Sequence, residues 1–378
     1  MNIGISCYAT HGGSGVVATE LGKALAERGH KIHFISTSVP FRLLGQFHEN
    51  IFLHEVEMTH YPVLQSPPFE LALASKMAEV IEYANLDILH CHYAVPHAVA
   101  AFLAREMLSD RHVKVVTTLH GTDITVLAEN RSLRNVIRLG INRSDAVTAV
   151  SDSLVRQTEE LFSTLCPIQR IHNFIDPSLY RRTDGTKLRK CVAKPDEKIV
   201  MHISNFREVK RVPDVVRIFA KVREKLNSRL LLVGEGPELS NTRQLVRELD
   251  IEPYVSFLGK QDDIPGILSL ADVFLLPSEK ESFGLVALEA MACGVPVVGS
   301  TAGGIPEVVQ HGVTGFLAPI GDVEKMARYT IHLLSNDNLR QQFVQAAGRK
   351  IASDFLLEDR VIDYEQLYER LLAGEYCS

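Results

Sequence analysis

The sequence predicts an α/β protein built from two doubly wound, Rossmann-like domains. Three observations carry this. Short apolar runs alternate with amphipathic stretches throughout, the pattern of βα units on parallel sheets. At 378 residues the chain exceeds one ordinary core. A polar stretch at about 176–198, containing Pro177, Gly185 and Pro195, interrupts the pattern midway, after which it restarts.

In the first half, strands are expected at 3–7, 32–36, 88–91, 113–118, 146–150 and 168–172, with helices beginning at Ser14, Leu71, Pro96, Leu133 and Ser151. The second half restarts at 199–203 and continues through 230–233, 255–258, 273–276 and 297–300. The expected division is an N-terminal domain at 1–172, a linker at 173–197 and a C-terminal domain at 198–356. A last helical stretch, about 357–378, has no strand after it. Ligands of such open sheets bind beyond the carboxyl ends of the strands, so chemistry is sought in the loops that leave them.

A formal net charge of -6 leaves no footprint for nonspecific nucleic-acid binding and favours small-molecule partners. No apolar run reaches bilayer length, and the opening Met1-Asn2-Ile3-Gly4 enters a strand without the basic leader of a signal peptide. A cytoplasmic protein without a membrane span is therefore expected. The cysteines Cys7, Cys91, Cys166, Cys191, Cys293 and Cys377 are scattered, with no C-x-x-C pair, which suits reduced thiols better than a disulfide framework or zinc site. Assembly into a homo-oligomer is left open.

The most informative stretch is 278–297, which leaves an apolar strand and starts a helix with Glu281 and Glu289 on either side of Phe283-Gly284-Leu285. The amides of Phe283, Gly284 and Leu285, at the positive end of the helix dipole, form an anion site suited to a phosphate. Neither carboxylate can hold the phosphate, but each can accept two hydrogen bonds from a vicinal diol. Hydroxyls, phosphate, hydroxyls is the order of parts in a nucleotide-sugar: hexose, diphosphate, ribose 2′,3′-diol. For a bare glutamate pair, a surface helix start with solvated carboxylates is the plainer reading.

Glu281, seven residues, then Glu289, followed by Ala290-Met291-Ala292-x-Gly294-x-Pro296, resembles the signature of the family 4 retaining glycosyltransferases of GT-B fold. The resemblance implies two Rossmann-like domains facing a central cleft, with the C-terminal helix crossing back onto the first domain. It also implies that Glu281 contacts the donor hexose, that the Phe283, Gly284 and Leu285 amides hold its 3-OH and the diphosphate, and that Glu289 holds the ribose.

His11-Gly12-Gly13-Ser14-Gly15 follows the first strand and opens a helix whose amides again point at an anion. By itself it could open an NAD site, but the spacing is not G-x-G-x-x-G and strand two ends in Ile35-Ser36-Thr37, with no acidic residue for an adenosine ribose. It is similar to the family's first loop, in which amides such as those of Gly13 and Ser14 approach the donor diphosphate and the acceptor. Ser204-Asn205-Phe206-Arg207-Glu208-Val209-Lys210-Arg211 follows the first strand of the second half and resembles the family's diphosphate clamp, with Arg207 matching well and Lys210 or Arg211 filling the lysine role. Charge grows on a diphosphate as the glycosidic bond breaks, so cations belong there. No Asp-x-Asp occurs, so neither a metal nor another cofactor is implied.

His120, in Thr118-Leu119-His120-Gly121-Thr122-Asp123, ends a first-domain strand. A lone histidine is more often structural; the resemblance implies contact with the donor sugar. No carboxylate nucleophile is evident, and the resemblance implies a front-face displacement in which the leaving phosphate helps deprotonate the acceptor. The loops 234–237 and 302–307 also match the family, but turns into helices account for them without chemistry.

Arg131, Arg134 and Arg138 share one helix face, which could meet solvent, an anionic lipid surface or an acidic acceptor. Gly12 to Gly15, Pro40-Phe41-Arg42, His92 to His97, Thr117 to Val126 and Asn173-Phe174-Ile175-Asp176 together are similar to one subgroup, the transferases acting on L-malate in bacillithiol biosynthesis. Asn-Phe-Ile-Asp stands where most relatives have Asn-Gly-Val-Asp. This likeness implies UDP-GlcNAc as donor and L-malate as acceptor, and the two malate carboxylates make Ser14, Tyr93, Thr118 and Arg138 the acceptor candidates. Alternatives are another acceptor, such as inositol phosphate or a lipid headgroup, a sugar-nucleotide-binding module without turnover, and a nonhydrolysing UDP-sugar epimerase.

Overall fold

Two all-parallel sheets organise the chain in the computed structural model, which describes residues 1–9, 12–45, 47–58, 68–108 and 113–375. The first contains β1 (Asn2–Ser6), β2 (Lys31–Ser36), β3 (Ile51–Glu55), β4 (Ile88–His92), β5 (Lys114–Leu119), β6 (Ala146–Ala149) and β7 (Ile168–Arg170), in the order β3-β2-β1-β4-β5-β6-β7. The second contains β8 (Lys198–Ile203), β9 (Ser228–Val233), β10 (Val255–Gly259), β11 (Val273–Leu276), β12 (Val297–Ser300) and β13 (Gly315–Ala318), in the order β10-β9-β8-β11-β12-β13. Helices cover both faces, so the central strands β4, β11 and β12 are buried at every position and read as unbroken apolar or neutral runs.

The chain divides into two compact units, Met1–Phe174 with Leu357–Ser378, and Ile175–Leu356. In the first, Leu73 and Met77 of the helix Phe69–Ala84 and Ala100 and Ala104 of the helix Val99–Met107 pack on Leu89, Cys91 and Val115 of the sheet. In the second, Val215 and Phe219 of the helix Val212–Arg223 and Met326 and Leu333 of the helix Val323–Ser335 pack on Val200, Leu230 and Leu275. Each such fully buried Leu or Phe stabilises the fold by about 1.5–3 kcal/mol relative to exposure.

The polar stretch expected as a linker is ordered within the second unit. It forms the helix Thr186–Val192, whose Arg189 donates to the carboxylate of Asp272 at 3.0 Å and to the carbonyl of Glu197 at 3.0 Å. Its polarity reflects a solvated surface. The helix Leu357–Leu372 belongs to the first unit, where Tyr364, Tyr368 and Leu367 are buried and Glu365 pairs with Arg28 at 2.7 Å and His30 at 2.9 Å. Residues 376–378, included in the expected helix, lie outside the described part.

Two strands escaped the sequence pattern. The strand β3 is a sheet edge whose Phe52, Leu53 and Glu55 are exposed, and β13 is four residues long after a turn. The expectation of reduced thiols holds at Cys7, Cys91, Cys191 and Cys293 but fails at Cys166, which is disulfide-bonded. Sequence spacing does not show which sulfurs meet, because Cα separation and Cβ direction decide it. No described helix is long and apolar enough to cross a membrane.

Candidate active site

In each sheet the strand order reverses once, between β1 and β4 in the first and between β8 and β11 in the second. Loops leaving the two central strands diverge there and open a crevice at the carboxyl edge. Ser14, Tyr93, Arg207, Lys210, Arg211, Glu281 and Gly284 lie on those loops or at the helix starts they lead into, whereas Thr118 and His120 stand on and after β5 and Arg138 and Glu289 lie within helices.

In the first unit, the helix Gly13–Glu27 starts directly after β1, with Gly12 as its cap and with Gly12 and Gly13 exposed. His11 lies outside the described residues. The Tyr93 hydroxyl, beyond the end of β4, donates to Ser14 Oγ at 2.9 Å, tying the loops on the two sides of the reversal. Tyr93 itself holds φ at 95°, a region that costs a non-glycine residue about 1–3 kcal/mol and is concentrated at functional sites. One strand further, His120 follows β5, with its ring centroid 5.2 Å from that of Tyr93 and its Nε2 2.8 Å from His92 Nδ1. Desolvation pushes the His120 ring down to about 3, so it is neutral at physiological pH.

Asp123 was only part of a quoted motif, yet it organises this region. Fully buried, it accepts the amide of Ala94 at 2.9 Å and that of Gly121 at 3.3 Å, bracing the loops after β4 and β5 against each other. Burial pushes its carboxyl up to about 6, and the amides partly oppose this. Asp123, at the start of a short helix after a glycine, gave no sequence signal beyond its place in the motif.

Thr118 is corrected. Its side chain is fully buried, and its hydroxyl is engaged by His90 Nε2 at 2.7 Å, Thr148 Oγ1 at 2.7 Å and the Tyr364 hydroxyl at 3.3 Å. One donor and two lone pairs are thereby used, leaving nothing for an acceptor carboxylate. The arginine face is divided as well: Arg134 is half-buried and donates to the Ala128 carbonyl at 2.7 Å, whereas Arg131 and Arg138 are exposed. Among the described residues, the hydrogen bond recorded for the Arg138 side chain goes to the neutral Asn135 side chain, at 3.1 Å, leaving most of its fork of donors available.

In the second unit, the backbone joins the loops after β8 and β11: the Glu279 amide donates to the Val209 carbonyl at 2.8 Å. Beside that link Lys210 Nζ lies 2.7 Å from Glu281 Oε2, both side chains largely sheltered. Arg211 is turned to other work. Its Nε binds Asp214 at 2.6 Å and a terminal nitrogen reaches Glu279 at 3.3 Å, and the Asp214 hydrogen bond raises its pKa. Of the two candidates for the lysine role, Lys210 therefore faces the glutamate motif and Arg211 is committed to structural carboxylates. Arg207 is exposed on the same loop.

The helix Leu285–Ala292 begins after Gly284, so its first amides have no acceptor within the helix. The Phe283 side chain is core, edge-on to Phe355 at 5.7 Å, so only its main chain can serve a ligand. Glu289 sits half-buried one turn past Leu285.

Two glycine loops set aside in the sequence support these elements. The Gly304 amide donates to the Glu281 carbonyl at 3.0 Å, and a Cβ added at Gly303 (φ +50°) would stand 1.8 Å from that same oxygen. A Cβ at Gly234 (φ +110°) would stand 1.9 Å from the Ser204 carbonyl oxygen. The strands β9 and β12 flank β8 and β11, so their loops lie against the two that carry the charged groups. The signal was present as Gly-x-Gly and Gly-Gly after short apolar runs.

Residues 11–179 match the family described as Glycosyltransferase Family 4, and residues 185–350 match that described as Glycosyl transferases group 1. The chain is 54% identical over 376 residues to the N-acetyl-alpha-D-glucosaminyl L-malate synthase of Bacillus anthracis, covering 99% of this chain and 98% of that protein. It is 30% identical to the D-inositol 3-phosphate glycosyltransferase of Mycobacterium marinum, over 79% of this chain and 66% of that protein. Among solved structures, Anabaena HepE in complex with UDP and glucose superposes with a TM-score of 0.82 at 22% identity, covering 98% of this chain and 99% of that one, a likeness of fold. With its two doubly wound sheets, the chain is a glycosyltransferase of GT-B fold and belongs to glycosyltransferase family 4.

Proposed function

We propose that this glycosyltransferase moves N-acetylglucosamine from UDP-GlcNAc to the hydroxyl of L-malate, with retention at the anomeric carbon and release of UDP. The observation that carries the donor half is the pairing of Lys210 with Glu281 beside the helix start at Leu285, which supplies a cation, a carboxylate and amides within one pair of joined loops. The identity of 54% over 99% of the chain to the malate synthase supports the choice of sugar and acceptor.

In this reading Arg207, Lys210 and the helix amides stabilise the diphosphate as charge develops on it. That set of cations and dipoles leads us to propose turnover without a metal or other cofactor. Glu281 binds hexose hydroxyls and Glu289 the ribose diol. Gly13 and Ser14 serve the diphosphate side, while Ser14, Tyr93 and Arg138 serve malate. Arg138 can hold one malate carboxylate in bidentate fashion, a contact of ~1.5–3 kcal/mol. His120, neutral, faces the donor sugar, and the departing phosphate takes the malate hydroxyl proton as the new bond forms on the same face. The substrates are small polar metabolites, and we place the enzyme in the cytoplasm.

Purified protein incubated with UDP-GlcNAc and EDTA, with and without L-malate, tests this. Malate-dependent UDP release, the mass of the malyl glycoside and an α-anomeric proton are expected. Release with D-inositol 3-phosphate but not malate would overturn the acceptor. A β product would overturn retention.

A further inference from the structure

Four buried or half-buried rings in the first unit form a continuous series. Tyr368 of the C-terminal helix contacts His90 Nδ1 at 2.8 Å, and His90 Nε2 contacts Thr118 Oγ1 at 2.7 Å, so both nitrogens of His90 are pinned. The His92 ring stacks on His90, with centroids 4.5 Å apart and planes inclined by 29°. His92 Nδ1 lies 2.8 Å from His120 Nε2. The His92 ring is fully buried, and its Nε2 has no hydrogen-bond partner among the described residues.

We propose that His92 is a positioning residue: its Nδ1–H donates to His120 Nε2 and thereby holds His120 in the Nδ1–H form, presenting that N–H to the substrate. The inference rests on the reading that His120 faces the donor sugar. Desolvation keeps the His92 ring well below 6.5 and the His120 ring at about 3, so neither carries a second proton at neutral pH. A neutral imidazole has one N–H. Were it on His92 Nε2, an N–H would be buried with no acceptor, a state native proteins avoid more strictly than an unpaired lone pair. Placed on Nδ1, it makes the 2.8 Å contact. The proton of His120 must then sit on Nδ1, which has no partner among the described residues on a ring that is only partly buried. Because Tyr368 and Thr118 fix His90, and His90 fixes the plane of His92, the C-terminal helix and two central strands together set which nitrogen of His120 donates.

The full-length enzyme, labelled with 15N-histidine, tests this through ring proton–nitrogen correlations, with His120 assigned by loss of its signals in His120→Gln. Wild type is expected to show His120 protonated at Nδ1 and bare at Nε2. Two variants add a kinetic readout: His92→Asn places an amide donor where Nδ1–H was, and His92→Gln places one where Nε2 was. His92→Asn should retain most of kcat, and His92→Gln should lose about 10- to 100-fold, with the donor KM little changed in either. An Nε2–H form of His120 in wild type overturns the proposal, as does an equal loss in both variants, the mark of a purely structural ring. If the variants do not fold, the wild-type spectrum still decides. Absence of malate-dependent turnover in wild type would defeat the substrate reading and leave the tautomer measurement standing.

Discussion

Lys210 and Glu281 lie on loops that leave different strands of the second sheet, 71 residues apart in sequence, and meet at 2.7 Å. Coulombic attraction at that distance is strong where solvent is largely excluded, yet a diphosphate carries more charge than one carboxylate and competes for the same ammonium. Lys210→Ala should therefore lower kcat about 100-fold, the scale of one lost donor at a developing anion. Arg211→Met, which removes the ion pairs to Asp214 and Glu279, should leave kcat within a few-fold. The reverse ranking in steady-state assays would reassign the clamp.

Arg138→Met should raise the malate KM strongly and the donor KM little, because its guanidinium is exposed and, among the described residues, hydrogen-bonded to a neutral side chain. Equal rises in both constants would sink the assignment.

Thr118→Val should act on stability. It strands the groups on His90, Thr148 and Tyr364 that now share the hydroxyl, a loss of about 1–3 kcal/mol for a buried polar group left unpaired. Urea melts should show the shift, and a selective malate KM effect on an undiminished fold would restore Thr118 as an acceptor ligand.

Gly303→Ala brings a methyl against the Glu281 carbonyl and forces a side chain into φ +50°. Weakened UDP binding by calorimetry is expected along with a destabilisation of about 1–3 kcal/mol. Unchanged affinity would show that this loop does not set the Glu281 main chain.

Desolvated histidines make the fold acid-sensitive. His90, His97 and His120 are each lowered from 6.5 to about 3 by desolvation, so the unfolded chain binds more protons than the fold below neutrality. Their contribution is complete above pH 6.5 and is lost as pH falls toward 3, at up to about 1.4 kcal/mol per pH unit for each ring. Asp123, raised to about 6, works the other way: its stabilising share is complete below about 3.8 and is lost as pH rises through 6. Three rings outweigh one carboxyl, so urea midpoints should fall steadily from pH 6.5 to 4.5. A flat profile would contradict the reading of these rings as desolvated neutral groups.

The strands that cross the middle of each sheet were legible because burial on both faces demands uninterrupted apolar runs; β3, with three exposed residues, obeys no such demand. The placement of the glutamate motif was legible for a related reason. Glu281, Gly284 and Glu289 belong to one strand, loop and helix, so local sequence spacing fixes their geometry. Thr118 was misjudged because alternation along β5 cannot show that the C-terminal helix delivers Tyr364 onto it. Asp123 and the Gly303 loop were underrated, since a buried carboxyl bridging two loops or a glycine beside a distant carbonyl looks the same in sequence as a turn.

By itself the sequence determined the α/β class, the repetition of a doubly wound pattern and the local charge and glycine content of each loop. These follow from periodicity and from chemistry confined to a few consecutive residues. Tertiary structure decided which loops touch: Lys210 on Glu281, Tyr93 on Ser14, His92 on His120, and Arg211 turned away to Asp214. It also closed the bond at Cys166 and placed Leu357–Leu372 in the first unit. Apart from the local pair of Arg211 and Asp214, three residues apart, those contacts join segments tens to hundreds of residues apart, and strand order together with side-chain packing, rather than any local preference, brings them within bonding distance.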